Sequence, residues 1–244
     1  MTNQIQNSND KKIRINKFLA QNGLGSRRGV EDLILAKKVK INNQIAKLSD
    51  KIDPAKDKVE VENKIIKPET SLVYYAVNKP VGYTSSVRDV YAEKLITDLA
   101  PKEPKVYPVG RLDKDSRGLI ILTNDGDLTN QLTHPRFKHE KEYIVKIKSQ
   151  SPDIQSKIQK LKKGVRLTEG LAKADKIAVL DINKTQSAAK IKITLHQGWK
   201  RQIRRMCERA GLLLLDLNRT KFGKLDLGDL GEGEHRIIQK CDIM

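Results

Sequence analysis

Cysteine is scarce in this chain: only Cys207 and Cys241 occur, with no CxxC, beside four histidines. Neither a disulfide framework nor a zinc ribbon can be built from so few ligands, so no metal is expected. The composition fits a reducing compartment, and the cytoplasm is the expected location. No apolar run approaches the roughly 18–20 residues that a membrane-spanning helix needs, so no membrane partner is expected. The first residues, MTNQIQNSND, lack the basic and then apolar order of a secretory signal, and residues 1–11 read as a disordered lead. No GxxxxGK[ST] or GxGxxG loop exists to hold a nucleotide, and no cofactor is expected. Acidic residues are also in deficit, with 48 Lys and Arg against 30 Asp and Glu, a formal charge of +18. That excess points to a polyanionic partner.

At 244 residues the chain can form one large or two smaller domains, and a change of pattern favours two. Near the start, Ile15, Phe18 and Leu19 repeat at helical spacing before Gly23, where a left-handed helix end would sit. Ser26 can cap a second helix with Val30, Leu33 and Ile34 as its apolar stripe. Arg27, Arg28, Lys37 and Lys38 fall off that stripe or at its ends. The period then changes: Val39, Ile41 and Ile45 surround Asn42-Asn43, two residues that tolerate positive φ, which predicts a tight hairpin. Val59-Glu60-Val61 reads as a further strand. Residues 62–71 are polar, contain a proline and show no periodicity, so they read as a linker.

From Leu72 onward strands dominate. LVYYAVNKP, VYPVG, GLIILTND and KEYIVKI are each bounded by turn residues. A helix is predicted after Ser151-Pro152, as N-cap and N1, with Ile154, Ile158 and Leu161 on its inner face and Gly164 at its end. Lys190 to Leu195 alternates strictly, which predicts a half-buried strand with a cationic outer face. Helices interrupt the strands irregularly, so the expected class is α+β with a mixed, largely antiparallel sheet.

Two stretches could carry chemistry. Gly110-Arg111-Leu112-Asp113-Lys114-Asp115-Ser116-Arg117-Gly118 forms a loop between apolar strands and presents carboxylates beside cations. A calcium loop starting at Asp113 fails, because Arg117 occupies the fifth ligand position and Asn124 replaces the bidentate glutamate at the twelfth. A salt-bridged turn and a catalytic carboxylate both remain open. Asn124-Asp125-Gly126-Asp127 reads as a turn, with Asp127 starting a helix. The second stretch, QGWKRQIRRMCERAG from Gln197, predicts a helix ended by Gly211. Ile203, Met206, Cys207 and Ala210 share its inner face, while Arg201, Arg205 and Arg209 form a row suited to phosphates. Arg204 lies between the faces and could reach a buried carboxylate. No serine or cysteine triad is visible.

GRLDKDSRGLIILTNDGD resembles the second signature motif of the pseudouridine synthases of the RsuA family, and QGWKRQIRRM resembles the third. Asn78-Lys79-Pro80-Val81-Gly82 is similar to the first motif, and Lys141-Glu142-Tyr143-Ile144-Val145 to the K-x-Y-x-V strand. The two small helices feeding a hairpin, from Lys12 to Val61, resemble an S4 RNA-binding domain. The resemblance therefore spans nearly the whole chain, in order, and is nearest the large-subunit RluF and RluB types. It implies an S4 domain over 12–61 (two helices and a small sheet), the linker 62–71 and a synthase domain over 72–244. It also implies isomerisation of a uridine in ribosomal RNA, 23S before 16S, with transfer RNA also possible, by a protein taken as a monomer by default. Asp113 matches the essential aspartate, Tyr143 the active-site tyrosine, and Arg204 the basic residue that pairs with the aspartate. Arg111 and Leu112 would support the site, Arg111 as wedge or phosphate contact unless it pairs with Asp115. Arg27, Arg28, Lys37, Lys38, Lys40, Lys79, Arg201 and Arg205 would bind RNA. Trp199 departs from the small or basic residue usual there and is expected to pack over a neighbouring strand. A non-catalytic S4 factor is the alternative; a two-carboxylate glycosidase or nuclease lacks a second carboxylate or a metal shell.

Overall fold

The computed structural model describes residues 12–68, 71–151, 153–183 and 185–244, and the chain divides into two units between Leu72 and Val73. The lead over 1–11 and Pro152 lie outside the described residues.

In the first unit the chain runs β1 (Ile13–Arg14), α1 (Ile15–Gln21), α2 (Gly29–Leu35), β2 (Val39–Ile41), β3 (Gln44–Ile45), β4 (Lys51–Ile52), β5 (Val59–Val61) and β6 (Lys64–Ile66). Asn42 and Asn43 adopt φ of 49° and 68°, so the predicted hairpin forms between β2 and β3. The Ser26 hydroxyl accepts the Gly29 amide at 3.0 Å at the start of α2. Ile15, Phe18, Leu19, Val30, Ile34, Val39 and Ile52 fill one core. The linker reading fails over 64–66, which pair with Val59–Val61 as β6. A second turn with positive φ, at Glu62 and Asn63, returns the chain, and its polarity is that of a hairpin tip.

The second unit continues with β7 (Tyr74–Lys79), β8 (Tyr107–Pro108), β9 (Arg117–Thr123), α3 (Gly126–Thr133), β10 (Lys141–Ser149), α4 (Ile154–Lys163), β11 (Val165–Leu167), β12 (Gly170–Ala172), β13 (Lys176–Asn183), β14 (Ala188–Leu195), α5 (Gln202–Arg209), β15 (Leu212–Phe222), β16 (Leu225–Asp226), β17 (His235–Ile237) and α6 (Lys240–Ile243). One sheet takes the order β13-β14-β10-β15-β9-β7-β17, with β16 on β15 and β8 on β9. Every pairing in it is antiparallel except β15 with β9, which are parallel through Asn218 with Arg117 and Arg219 with Gly118. Arg117 reinforces this short seam, its Nε and Nη2 gripping both oxygens of Asp216 at 2.9 and 2.8 Å. No helix of the described residues is long and apolar enough to cross a membrane.

Helices α4 and α5 cover one half of the sheet. Ile154, Ile158 and Leu161 of the first and Ile203, Met206 and Cys207 of the second join a core with Val145, Ile191 and Ile193. The N-cap of α4 is Asp153, accepting from the Ser156 amide, where Ser151 was expected. Likewise Asp125 rather than Asp127 caps α3, accepting from the amides of Asp127 and Leu128. Such a cap contributes about 1 kcal/mol. Trp199 packs against the core of α4 and α5.

Candidate active site

The loop between β8 and β9 is held at several points. Leu112 is buried among Tyr75, Val77, Ile96, Ile120 and Leu122. The Ser85 hydroxyl donates to Leu112 O at 2.8 Å and accepts the Leu112 amide at 3.1 Å. Asp113, next in sequence, closes a turn through its carbonyl, which accepts the Ser116 amide at 3.0 Å. Below the loop lies Lys79, fully buried. Its ammonium donates to Ser116 O at 2.6 Å, Pro80 O at 3.0 Å and Lys114 O at 3.4 Å. Lys79 therefore cannot contact RNA as the sequence suggested; it braces the loop that carries Asp113. Burial pushes its amine down to about 8, against the pull of the Asp115 and Asp113 charges.

That shift has a measurable sign. Between about pH 8 and the unperturbed 10.5, the unfolded chain holds a proton that the folded chain has shed, so the folded state gains stability as pH rises. The cost of burying the ammonium is fully present below that window. Wild type should thus gain on Lys79→Met between pH 7.5 and 10 in urea unfolding, and parallel pH curves would show that Lys79 is not desolvated.

Asp113 is half-buried and lines a cavity of about 520 Å³ with Arg111, Lys141, Tyr143, Trp199, Arg201, Arg219 and Phe222. The expected pairing of Arg204 with Asp113 is not made. Arg204 Nη2 donates to Asp115 O at 2.7 Å and Ser116 Oγ at 3.1 Å, and lies 3.4 Å from Asp115 Oδ1. Arg201 adds a bidentate grip on Asp115 at 3.1 and 3.0 Å. Burial works to raise the Asp115 carboxyl, but the Arg201 hydrogen bond and the Arg204 charge hold it below the ordinary carboxylate range. Two neighbouring carboxylates thus divide the work: Asp115 takes the arginines, and Asp113 has no ion-pair partner among the described residues. Arg111 is exposed and does not pair with Asp115.

The phosphate row also needs correction. Arg201 is committed to Asp115, and Arg205 makes a bidentate pair with Glu169 at 2.9 and 2.7 Å, so neither presents a free guanidinium. In the first unit Lys38 pairs with Glu62 at 2.7 Å, and Lys40 reaches Asn63 Oδ1 at 3.3 Å. Arg27, Arg28 and Lys37 are exposed. Surface pairs of this kind are weak because water screens them, so an incoming phosphate can compete for them.

The other wall comes from β10 and β15. Tyr143 lies directly opposite Ile193 on one side and Arg219 on the other. A register shift between Glu142 and Tyr143 leaves Thr220 of β15 unpaired as a bulge. Residues on one strand face alternate by two, so Arg219 and Phe222, three apart, line one cavity only because the bulge intervenes. The Arg219 guanidinium sits 5.2 Å and the Lys141 ammonium 5.4 Å from the Phe222 ring centroid. Sequence reasoning missed Arg219, Phe222 and the Lys141 amine; the one signal was a cation inside the apolar run that begins at Leu212.

A model of the RNA pseudouridylate synthase family matches residues 73–209, and a model of the S4 domain matches 13–59. Ribosomal large subunit pseudouridine synthase B of Bacillus subtilis is 36% identical over 232 residues, covering 94% of this chain and 93% of that protein. The dual-specificity RNA pseudouridine synthase RluF of Escherichia coli K12 is 36% identical over 237 residues, 96% of this chain and 78% of that one. Among solved structures, a pseudouridylate synthase superposes with a TM-score of 0.63 at 25% identity, over 94% of this chain and 97% of that chain.

Proposed function

The chain belongs to the RNA pseudouridylate synthase family, and on that premise we propose that it isomerises a uridine of large-subunit ribosomal RNA to pseudouridine, with Asp113 as the essential carboxylate. The reaction opens the C1′–N1 bond, turns the uracil and rejoins it through C5; one proton leaves C5 and one is taken up at N1. The observation that carries the reading is an aspartate with no ion-pair partner among the described residues, half-buried and lining, with Tyr143, a cavity large enough for a nucleoside. Asp113 lines that cavity and Asp115 does not, so of the two neighbouring carboxylates Asp113 is the one that can reach a bound nucleoside. Tyr143 offers a face to stack on uracil and a hydroxyl near the C5 proton. A uridine in structured RNA must leave its stack to enter, and Arg111, exposed at the rim, is placed to fill the space or hold a phosphate. The substrate class rests on the two named relatives, both RNA pseudouridine synthases and one of the ribosomal large subunit. Tritium release from 23S RNA labelled with [5-³H]uridine tests it. Release supports the reading, while no release from large-subunit RNA, with release from small-subunit or transfer RNA, moves the substrate and keeps the enzyme.

Most affinity is assigned to phosphate contacts made by the first unit. Arg27→Ala with Arg28→Ala should lower the slope of log Kd against log salt by about one to two while leaving saturated turnover unchanged. A binding titration at several salt concentrations checks this, and an unchanged slope would remove both residues from the RNA contact.

A further inference from the structure

Two cations on the cavity wall stand without counterions among the described residues. Arg219 is 2% exposed and its Nε donates to Leu119 O at 2.7 Å, yet its Nη2 is buried with no partner. Beside the Phe222 ring, Lys141 donates to the carbonyls of His139 and His196, at 3.3 and 3.5 Å. Burial and then the like charge of Arg219 push its amine down to about 8. No carboxylate of the described residues lies within ion-pair distance of either side chain, although Asp113 lines the same cavity. Burying charge without a partner is costly, so a fold that keeps two such groups beside a cavity is arranged for an anion that arrives later.

We infer that Lys141 and Arg219 form an anion-stabilising subsite for the pyrimidine dione of the target nucleotide, a role that rests on the synthase reading above. Every route through the reaction places negative charge on that dione. If the base departs, the C1′–N1 electron pair passes to N1 and spreads over O2 and O4, while C1′ is satisfied by an Asp113 oxygen or by the ring-oxygen lone pair. If a carboxylate oxygen adds at C6 instead, the displaced pair settles on O4 as an enolate. In both cases the C1′–N1 bond opens, C5 bonds to C1′, any bond from Asp113 to C1′ or C6 breaks and returns the free carboxylate, the C5 proton leaves and N1 regains a proton, so nothing external is consumed. Donors fixed in advance at the position of developing charge, in a site that excludes water, contribute more than the same donors in solution. The bulge at Thr220 is what turns Arg219 toward this wall, directly beside the Tyr143 strand position.

The test uses the full chain and compares Lys141→Gln and Arg219→Gln with wild type in single-turnover assays on one RNA fragment carrying either uridine or 5-fluorouridine at the target. Conversion is followed, after digestion to nucleosides, as loss of the starting nucleoside, because C5 of the fluorinated ring has no proton to give up and its rearranged product keeps the fluorine. Fluorine withdraws electrons and already stabilises the ring anion, so the need for the cations falls. Each variant should convert the uridine RNA about a hundredfold more slowly, bind it within about threefold of wild type, and lose at least about tenfold less on the fluorinated RNA. Equal deficits on both RNAs would overturn the inference, because a structural defect does not sense the leaving group. A loss confined to affinity, with a shallower salt dependence, would also overturn it and make the pair a phosphate contact. Should Arg219→Gln fail to unfold cooperatively, the part-buried Lys141 carries the comparison, with Lys141→Arg expected to recover most of the rate. A wild-type chain that converts neither uridine RNA nor any tritium-labelled RNA would sink the synthase reading itself rather than the subsite.

Discussion

Asp113→Asn should abolish tritium release, with a fall of more than about a thousandfold, the scale seen when a group acting on the reacting atoms is removed. The amide keeps the volume and hydrogen-bonding reach of the carboxylate, so Leu112, Ser85 and Lys79 should hold the loop as before. What disappears is the charge. Because neither Arg201 nor Arg204 is tied to Asp113, no ion pair is broken and folding stability should change little. RNA affinity should hold or tighten slightly, since one negative charge is lost from a chain of net charge +18. Asp115→Asn is the informative comparison: it removes the charge that Arg201 grips, while Arg204 keeps its bonds to Asp115 O and Ser116 Oγ, so stability and activity should both fall far less than activity does in Asp113→Asn. Release within tenfold of wild type from Asp113→Asn would move the chemistry to another group.

Gly118→Ala should be the most damaging single methyl in the fold. Gly118 has φ +105°, and a Cβ there would stand 2.6 Å from Arg219 N and closer still to Arg219 O and Asn218 Oδ1. These are backbone atoms and a buried amide, none of which can swing away. Strain of about 1–3 kcal/mol for the backbone joins a comparable overpacking cost. At roughly 2–4 °C per kcal/mol for a unit of this size, the melting temperature should drop by about 10 °C. Gly110→Ala provides the control: φ is +73°, but the nearest atom is Thr133 Cγ2 at an ordinary 3.6 Å, so only the backbone cost applies. Equal thermal shifts in the two variants would show that the strands are not held as closely as Gly118 requires.

Local signals carried much of the architecture. Asn42-Asn43 announces its hairpin because both side chains tolerate positive φ, and Gly164 and Gly211 end the helices they follow. The strand and turn alternation around GRLD places Asp113 on a loop, and the inner face of α5 is legible from its period alone. Pairings between distant residues were not legible. Helical spacing says that Arg204 faces inward, but two carboxylates two residues apart compete for it, and only the fold decides for Asp115. Lys79 belongs to a type that is almost never fully buried, and its three carbonyl acceptors come together only when the motif-bearing loop folds over β7. Arg219 enters the cavity because of a bulge, a feature of pairing between strands that one strand's sequence does not encode. Residues 62–66 looked like a linker because a short hairpin tip and a linker share the same polar composition.

The parallel seam between β9 and β15 also sets when the cavity can exist. Antiparallel neighbours such as β13 and β14 close across a short turn, whereas Gly118 must find Arg219 about a hundred residues further along the chain. Loop closure over that span carries the larger entropic cost and belongs to the slow, non-local part of folding. A growing polypeptide therefore displays the GRLD loop long before it owns a pocket: the wall bearing Arg219 and Phe222 is made about a hundred residues later. The cavity therefore waits on the synthesis of β15, and truncation within β15 yields a carboxylate without the wall that Arg219 and Phe222 supply.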